Sequence, residues 1–158
     1  MNTVIMAIDH QNNLSTSISH LTLREAQLHQ ASVIVICCIP TDGGIEGEVM
    51  NIECGVDQQD STHSQPKDPL NCAERTVRAA LVPFQRSGVP ARGLLCRGEP
   101  AAVIVEQATK LSASMIIMGR RHLSPFNRLF KGSISAAVLE TASCPVLIDL
   151  NEAVNESE

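Results

Sequence analysis

A length of 158 residues fits one domain and lies well above the size at which disulfides or metals must complete a core. A formal charge of −5 gives no general electrostatic footprint for nucleic acid, and no apolar run reaches the length of a membrane span, so neither a nucleic-acid partner nor direct membrane insertion is expected. With no Trp, no Tyr and three Phe, the core falls to Val, Ile, Leu, Ala and Met, a composition that suits an α/β sheet.

Residues 3–8 form a continuous apolar run rather than an alternating one, which predicts a central strand buried on both faces. Asp9 ends it, and on the residues alone it reads as the start of the following helix. A strand so near the amino terminus leaves a signal peptide unexpected and points to the cytoplasm. Over 14–30, Leu14, Ile18, Leu21 and Leu28 mark one helical face with Ala26 beside it. His20 and His29 fall on that helix without a second ligand at metal spacing. Residues 32–39 form the second buried strand, stopped by Pro40; within it Cys37 and Cys38 point to opposite faces and are not set up as a simple redox pair.

Six cysteines, Cys37, Cys38, Cys54, Cys72, Cys96 and Cys144, show neither C-x-x-C spacing nor pairing with histidines, so reduced thiols and no metal site are expected. Residues 41–69, rich in Gly, Asp, Gln, Ser and Pro, read as a long loop that also carries Cys54 and His63. Helical spacing returns at Leu70, Ala73, Val77, Leu81 and Phe84 and ends near Ser87-Gly88, with Pro83 expected to kink or shorten the final turn. Residues 91–96 give the third strand. Gly98-Glu99-Pro100 turns into a helix that buries Ile104, Ala108 and Leu111.

The stretch that organises the rest begins with Met115-Ile116-Ile117-Met118, a buried fourth strand that spills through Gly119 into a loop. Ser124 to Phe130 reads as a short helical turn over that loop. Gly132-Ser133-Ile134-Ser135 then opens a helix with Ile134, Val138 and Thr141 on one face, and its free N–H groups suit an anion such as phosphate. Arg120, Arg121, Arg128 and Lys131 make either a solvated loop or a basic rim around that phosphate. Residues 146–150 form a closing edge strand, and the acidic tail 151–158 is expected to fray. Residues 1–150 therefore make a single domain. Strands alternating with helices predict an open parallel five-stranded sheet, doubly wound with helices on both faces.

The string GRRHLSPFNRLFKGS resembles the phosphate loop of the universal stress protein family, whose nucleotide-binding members carry G-x2-G-x9-G-S/T after the fourth strand. Gly119, Gly132 and Ser133 fall in register, His122 replaces the middle glycine, and Cys144 to Ile148 is similar to the family's last strand. The resemblance spans nearly the whole chain. It implies the strand order 3-2-1-4-5, which sets Asp9 and Gly119 at the switch-point crevice where open sheets bind ligands. It also implies ATP or another adenine nucleotide, with magnesium as a companion of the phosphates. Ala7, Asp9 and Cys38 would meet the base and sugar, and Met118, Gly119, His122, Gly132, Ser133, Ile134 and Ser135 complete the binding set. A homodimer through the Val146 to Leu150 edge and an unidentified client protein complete the implied partners.

Three functions compete on this reading. One is a nucleotide-binding stress module whose occupancy modulates a partner. Another is a dimeric interaction protein of the branch that does not bind ATP, with His122 obstructing the loop; alternatively His122 donates a hydrogen bond to phosphate. The third is a slow ATP hydrolase. Against it, Asp9 is followed by His10-Gln11-Asn12-Asn13 instead of the serine- and glycine-rich loop of ATP pyrophosphatases, and no general base is placed. No catalytic residue is assigned.

Overall fold

Apolar runs long enough to be buried on both faces become the interior strands of a sheet, and polar helices with one apolar stripe cover them. In the computed structural model, residues 2–8, 16–39, 49–53, 69–119 and 134–149 are described. The elements in chain order are β1 (Asn2–Ile8), α1 (Thr16–Leu28), β2 (Ala31–Ile39), β3 (Val49–Glu53), α2 (Pro69–Arg86), β4 (Ala91–Arg97), α3 (Pro100–Lys110), β5 (Met115–Gly119), α4 (Ile134–Thr141) and β6 (Val146–Asp149). The sheet order is β3-β4-β2-β1-β5-β6. Setting β3 aside, the strands are parallel and run 3-2-1-4-5 as expected.

The expectation of an uninterrupted loop over 41–69 is corrected by β3, which adds to β4 in antiparallel fashion and makes a six-stranded, mixed sheet. Val49-Met50-Asn51-Ile52-Glu53 does not alternate, and among Val49, Met50 and Ile52 only Ile52 is buried. Its strand conformation comes from the open edge of β4, a partner some 40 residues downstream that no local pattern reveals.

Helices α1 and α2 cover one face of the sheet, where Ile18, Ala26, Ala73, Val77, Leu81 and Phe84 pack on Val4, Met6, Val33, Val35 and Ile117. Helices α3 and α4 cover the other, where Ala101, Ile104, Ala108 and Val138 pack on Ile5, Ile34, Ile36, Leu94 and Ile116. Three expected details change. Leu28 is 69% exposed, since the buried stripe of α1 follows Ile18, Thr22 and Ala26 and leaves the last turn facing water. Helix α2 continues through Pro83 to Arg86. So late in a helix, proline removes one i→i−4 bond, while Ser87 N–H still donates to the Pro83 carbonyl at 3.1 Å. Thr141 is exposed rather than on the buried face of α4, and its hydroxyl donates to the Ala137 carbonyl at 2.7 Å.

Candidate functional site

Parallel strands deliver all their carboxyl ends to one edge of the sheet, and the helices that follow them start there with N–H groups free. Strand β1 lies between β2 and β5, so the chain leaves it towards one side and returns on the other. The edge splits at that point into a crevice. Its walls are in register: Ala7 pairs with both Ile36 and Met118, and Ile8 pairs with Cys37.

Side-chain parity gives the crevice two unlike sides. Ala7, Cys38 and Met118 point to the α3/α4 side, and Ile134 at the start of α4 packs on the same cluster. Ile8, Cys37 and Ile39 point to the α1/α2 side and are buried there. On the first side Ala7 offers only a methyl group, and half-buried Cys38 follows its partner Ile36 by two positions, so the strand ends on this side carry small apolar side chains of the kind on which a flat ring can rest.

The helix starts at this edge are not equivalent. Glu99 caps α3: its carboxylate accepts from Ala101 N–H at 3.4 Å and Ala102 N–H at 2.7 Å, with Pro100 in the first turn. A carboxylate already satisfies the positive end of that helix, so α3 has little to offer a second anion. The other helix on this side of the sheet is α4, which is preceded in sequence by Gly132-Ser133.

The Cys38 thiol donates to the Pro100 carbonyl at 3.9 Å, tying the end of β2 to the start of α3. Burial pushes this thiol up strongly, helped by Cys96, Cys37 and Glu99 nearby, and it stays protonated near neutrality. Burial likewise pushes the Cys96 thiol up to about 11, with Glu106 adding to the effect and Lys110 opposing it. Among the described residues no cluster of three His, Cys, Asp or Glu side chains could hold a metal ion.

The family model described as "Universal stress protein family" matches residues 1–149. The chain belongs to that family. It is 31% identical over 147 residues to a Thermus aquaticus protein named "Universal stress protein in QAH/OAS sulfhydrylase 3'region", a match that covers 92% of this chain and 96% of the relative. Its fold is similar to that of the Archaeoglobus fulgidus universal stress protein solved in complex with dAMP, with a TM-score of 0.67 at 19% identity over 94% of this chain and 97% of the other. It is also similar to an Arabidopsis thaliana universal stress protein family member with AMP bound, with a TM-score of 0.57 at 14% identity over 94% and 90% of the two chains.

Of the site residues expected for a universal stress protein, Ala7, Cys38 and Met118 meet on one side of the crevice, and Ile134 joins their cluster. Gly119 closes β5 opposite Asp149, and Ser135 lies in the first turn of α4. Asp9, His122, Gly132 and Ser133 lie outside the described residues, as do Arg120, Arg121, Arg128, Lys131 and the turn expected over 124–130. Sequence reasoning did not single out Glu99 or Cys96. The acidic residue directly before a first-turn proline was a usable sign of a cap. Cys96 carried no such sign, because its place beside Cys38 depends on how two strands align. No described helix is long and apolar enough to cross a membrane.

Proposed function

We propose that the chain is an adenine-nucleotide-binding regulatory module, with ATP as a ligand, whose occupancy modulates its contact with a client protein. The observation that carries this reading is the register that sets Ala7 beside Met118 at the switch point, on the same side of the sheet as Cys38. The base rests on that small-residue side, with Asp9 at the sugar. Phosphates reach the start of α4, where Gly119, His122, Gly132, Ser133 and Ser135 supply N–H, hydroxyl and imidazole donors. A magnesium ion would be held mainly by phosphate oxygens, a role it fills with few protein ligands. Solved family members with dAMP or AMP bound support the ligand class. The module acts by binding rather than turnover and pairs as a homodimer along the β6 edge, where strand backbone otherwise faces water.

Calorimetry with AMP and with ATP, each with and without magnesium, tests the ligand. Wild type should bind, and Gly132→Val should lose more than tenfold, or about 1.4 kcal/mol, with circular dichroism unchanged. Wild type that ignores every adenine nucleotide would sink the reading.

His122 favours a second reading, a dimeric interaction protein without nucleotide, because a β-carbon stands where the family's loop has glycine. The two readings give opposite signs. If imidazole donates to phosphate, His122→Gly weakens ATP binding, and wild-type affinity falls as pH rises through the histidine range near about 6.5. If imidazole obstructs the loop, the same substitution creates tight binding in a protein that otherwise has none. The first outcome is expected.

A further inference from the structure

Strands β2 and β4 are parallel, and their register places Cys38 opposite Cys96. Paired residues of neighbouring strands point to the same side with backbones roughly 4.8 Å apart. That spacing lies within the roughly 4.4–6.8 Å over which a disulfide joins two Cα atoms. Both side chains belong to the α3/α4 side, Cys96 within the core and Cys38 partly buried at its rim. The other described cysteines are placed differently: Cys37 is buried on the opposite side, Cys72 lies on α2 across the sheet, and Cys144 precedes β6 at the amino edge.

We propose that Cys38 and Cys96 are a covalent modification site, closing to a reversible cross-strand disulfide in the wall of the carboxyl-edge crevice when the protein meets a peroxide. The site goes beyond nucleotide binding and does not depend on it. Cys38 is the entry point because it is half-buried, whereas Cys96 is 1% exposed. Its thiolate attacks one oxygen of hydrogen peroxide, the O–O bond breaks and hydroxide leaves, giving a sulfenic acid at Cys38. The Cys96 sulfur then attacks the Cys38 sulfur. The S–S bond forms as the S–O bond breaks, and the departing oxygen leaves as water with the Cys96 proton. Two thiols lose two hydrogens and two electrons, and the peroxide is reduced to two waters.

The groups around the pair set its rate. Cys37 and Glu99 act on Cys38, and Glu106 and Lys110 on α3 act on Cys96. Burial and these carboxylates outweigh the single lysine and keep both sulfurs protonated near neutrality. Only thiolate reacts, so closure is slow at neutral pH and accelerates by about tenfold per pH unit below the thiol's own range. The pair therefore answers sustained oxidation rather than a brief pulse.

The reduced full chain, treated with hydrogen peroxide at neutral and mildly alkaline pH, alkylated and digested with trypsin, tests this. Expected is a loss of two hydrogens and a link from the Cys38 peptide to the short peptide 93–97 that carries Cys96, reversed by dithiothreitol and formed faster at the higher pH. Cys96→Ser should leave Cys38 as a sulfenic acid that dimedone captures. Fragmentation between Cys37 and Cys38 in the wild-type peptide gives an answer independent of that variant's folding. A link through Cys37 or Cys54, a link between chains, or peroxide-treated protein whose Cys96 remains fully alkylated overturns the proposal.

Discussion

The two sides of the sheet are built from the same strands and do different work. On the α1/α2 side, Phe84, Leu81 and Val77 are fully buried, and Gly93 in β4 has no side chain because a Cβ there would collide with Cγ1 of Val77. Bulk continues to the strand ends, in Ile8 and Ile39. On the α3/α4 side the helices present Ala101, Ile104, Ala108 and Val138, and the strands finish in Ala7, Cys38, Cys96 and Met118. One step along β1 or β2 exchanges isoleucine for a smaller residue, alanine in β1 and cysteine in β2. Parity along a strand separates the side that holds the fold from the side on which the nucleotide is proposed to rest.

The largest effect should come from attacking the filled side. Phe84→Ala removes the largest fully buried side chain among the described residues and should cost about 3–5 kcal/mol in urea unfolding, while folded protein keeps its affinity for AMP. An equal loss of affinity would erase the distinction between the sides.

An intermediate effect belongs to the thiols of the open side. The neutral Cys96 thiol is favoured in the folded state, with its pKa pushed up to about 11 from an ordinary 9.0. The unfolded chain deprotonates first, so this contribution is complete below pH 9 and is lost as pH rises towards about 11. Cys96 should account for about 1–3 kcal/mol of the wild-type loss across that window, and Cys96→Ala should flatten the fall without abolishing it, since Cys38 is pushed up as well. No tyrosine is present to titrate there. A variant as steep as wild type would show that the buried thiol contributes nothing.

The smallest effect concerns the rim. Cys38→Phe puts a ring where the nucleotide base is proposed to rest, at a position only partly buried. AMP affinity should fall at least tenfold, or about 1.4 kcal/mol, with a smaller change in stability than Phe84→Ala. Calorimetry that finds AMP affinity intact would move the base away from Cys38.

What the sequence revealed follows from what is local. The interior strands were legible because a strand covered on both faces is apolar at every position, as in Val4-Ile5-Met6 and Ile116-Ile117-Met118. Helix α2 was legible because Ala73, Val77, Leu81 and Phe84 keep one spacing. Strand β3 was not, since its conformation is imposed by β4 rather than by its own residues. Leu28 misled for a related reason: it continues the apolar rhythm of α1 into a last turn that faces water. Of the ten site residues that the family resemblance implies, parity and register put Ala7, Cys38 and Met118 on one side of the sheet. The opposition of Cys38 and Cys96 required the alignment of strands separated by more than fifty residues, which no spacing rule supplies.

The middle position of β1 also has a consequence for synthesis. Its first neighbour, β2, follows within the next thirty residues, but its second is β5, and Ser114 reaches back to the Thr3 carbonyl with both N–H at 2.8 Å and hydroxyl at 3.0 Å, 111 residues away. Loop closure over that distance grows only logarithmically in cost, so the pairing is affordable once both strands exist. On a translating ribosome, however, the largely apolar β1 waits on the order of ten seconds with one edge unsatisfied, at roughly 5–20 residues per second. During that interval the growing chain exposes an edge that other nascent copies or a chaperone can engage, and the strand that ends up best protected in the finished protein is the one least protected while it is being made.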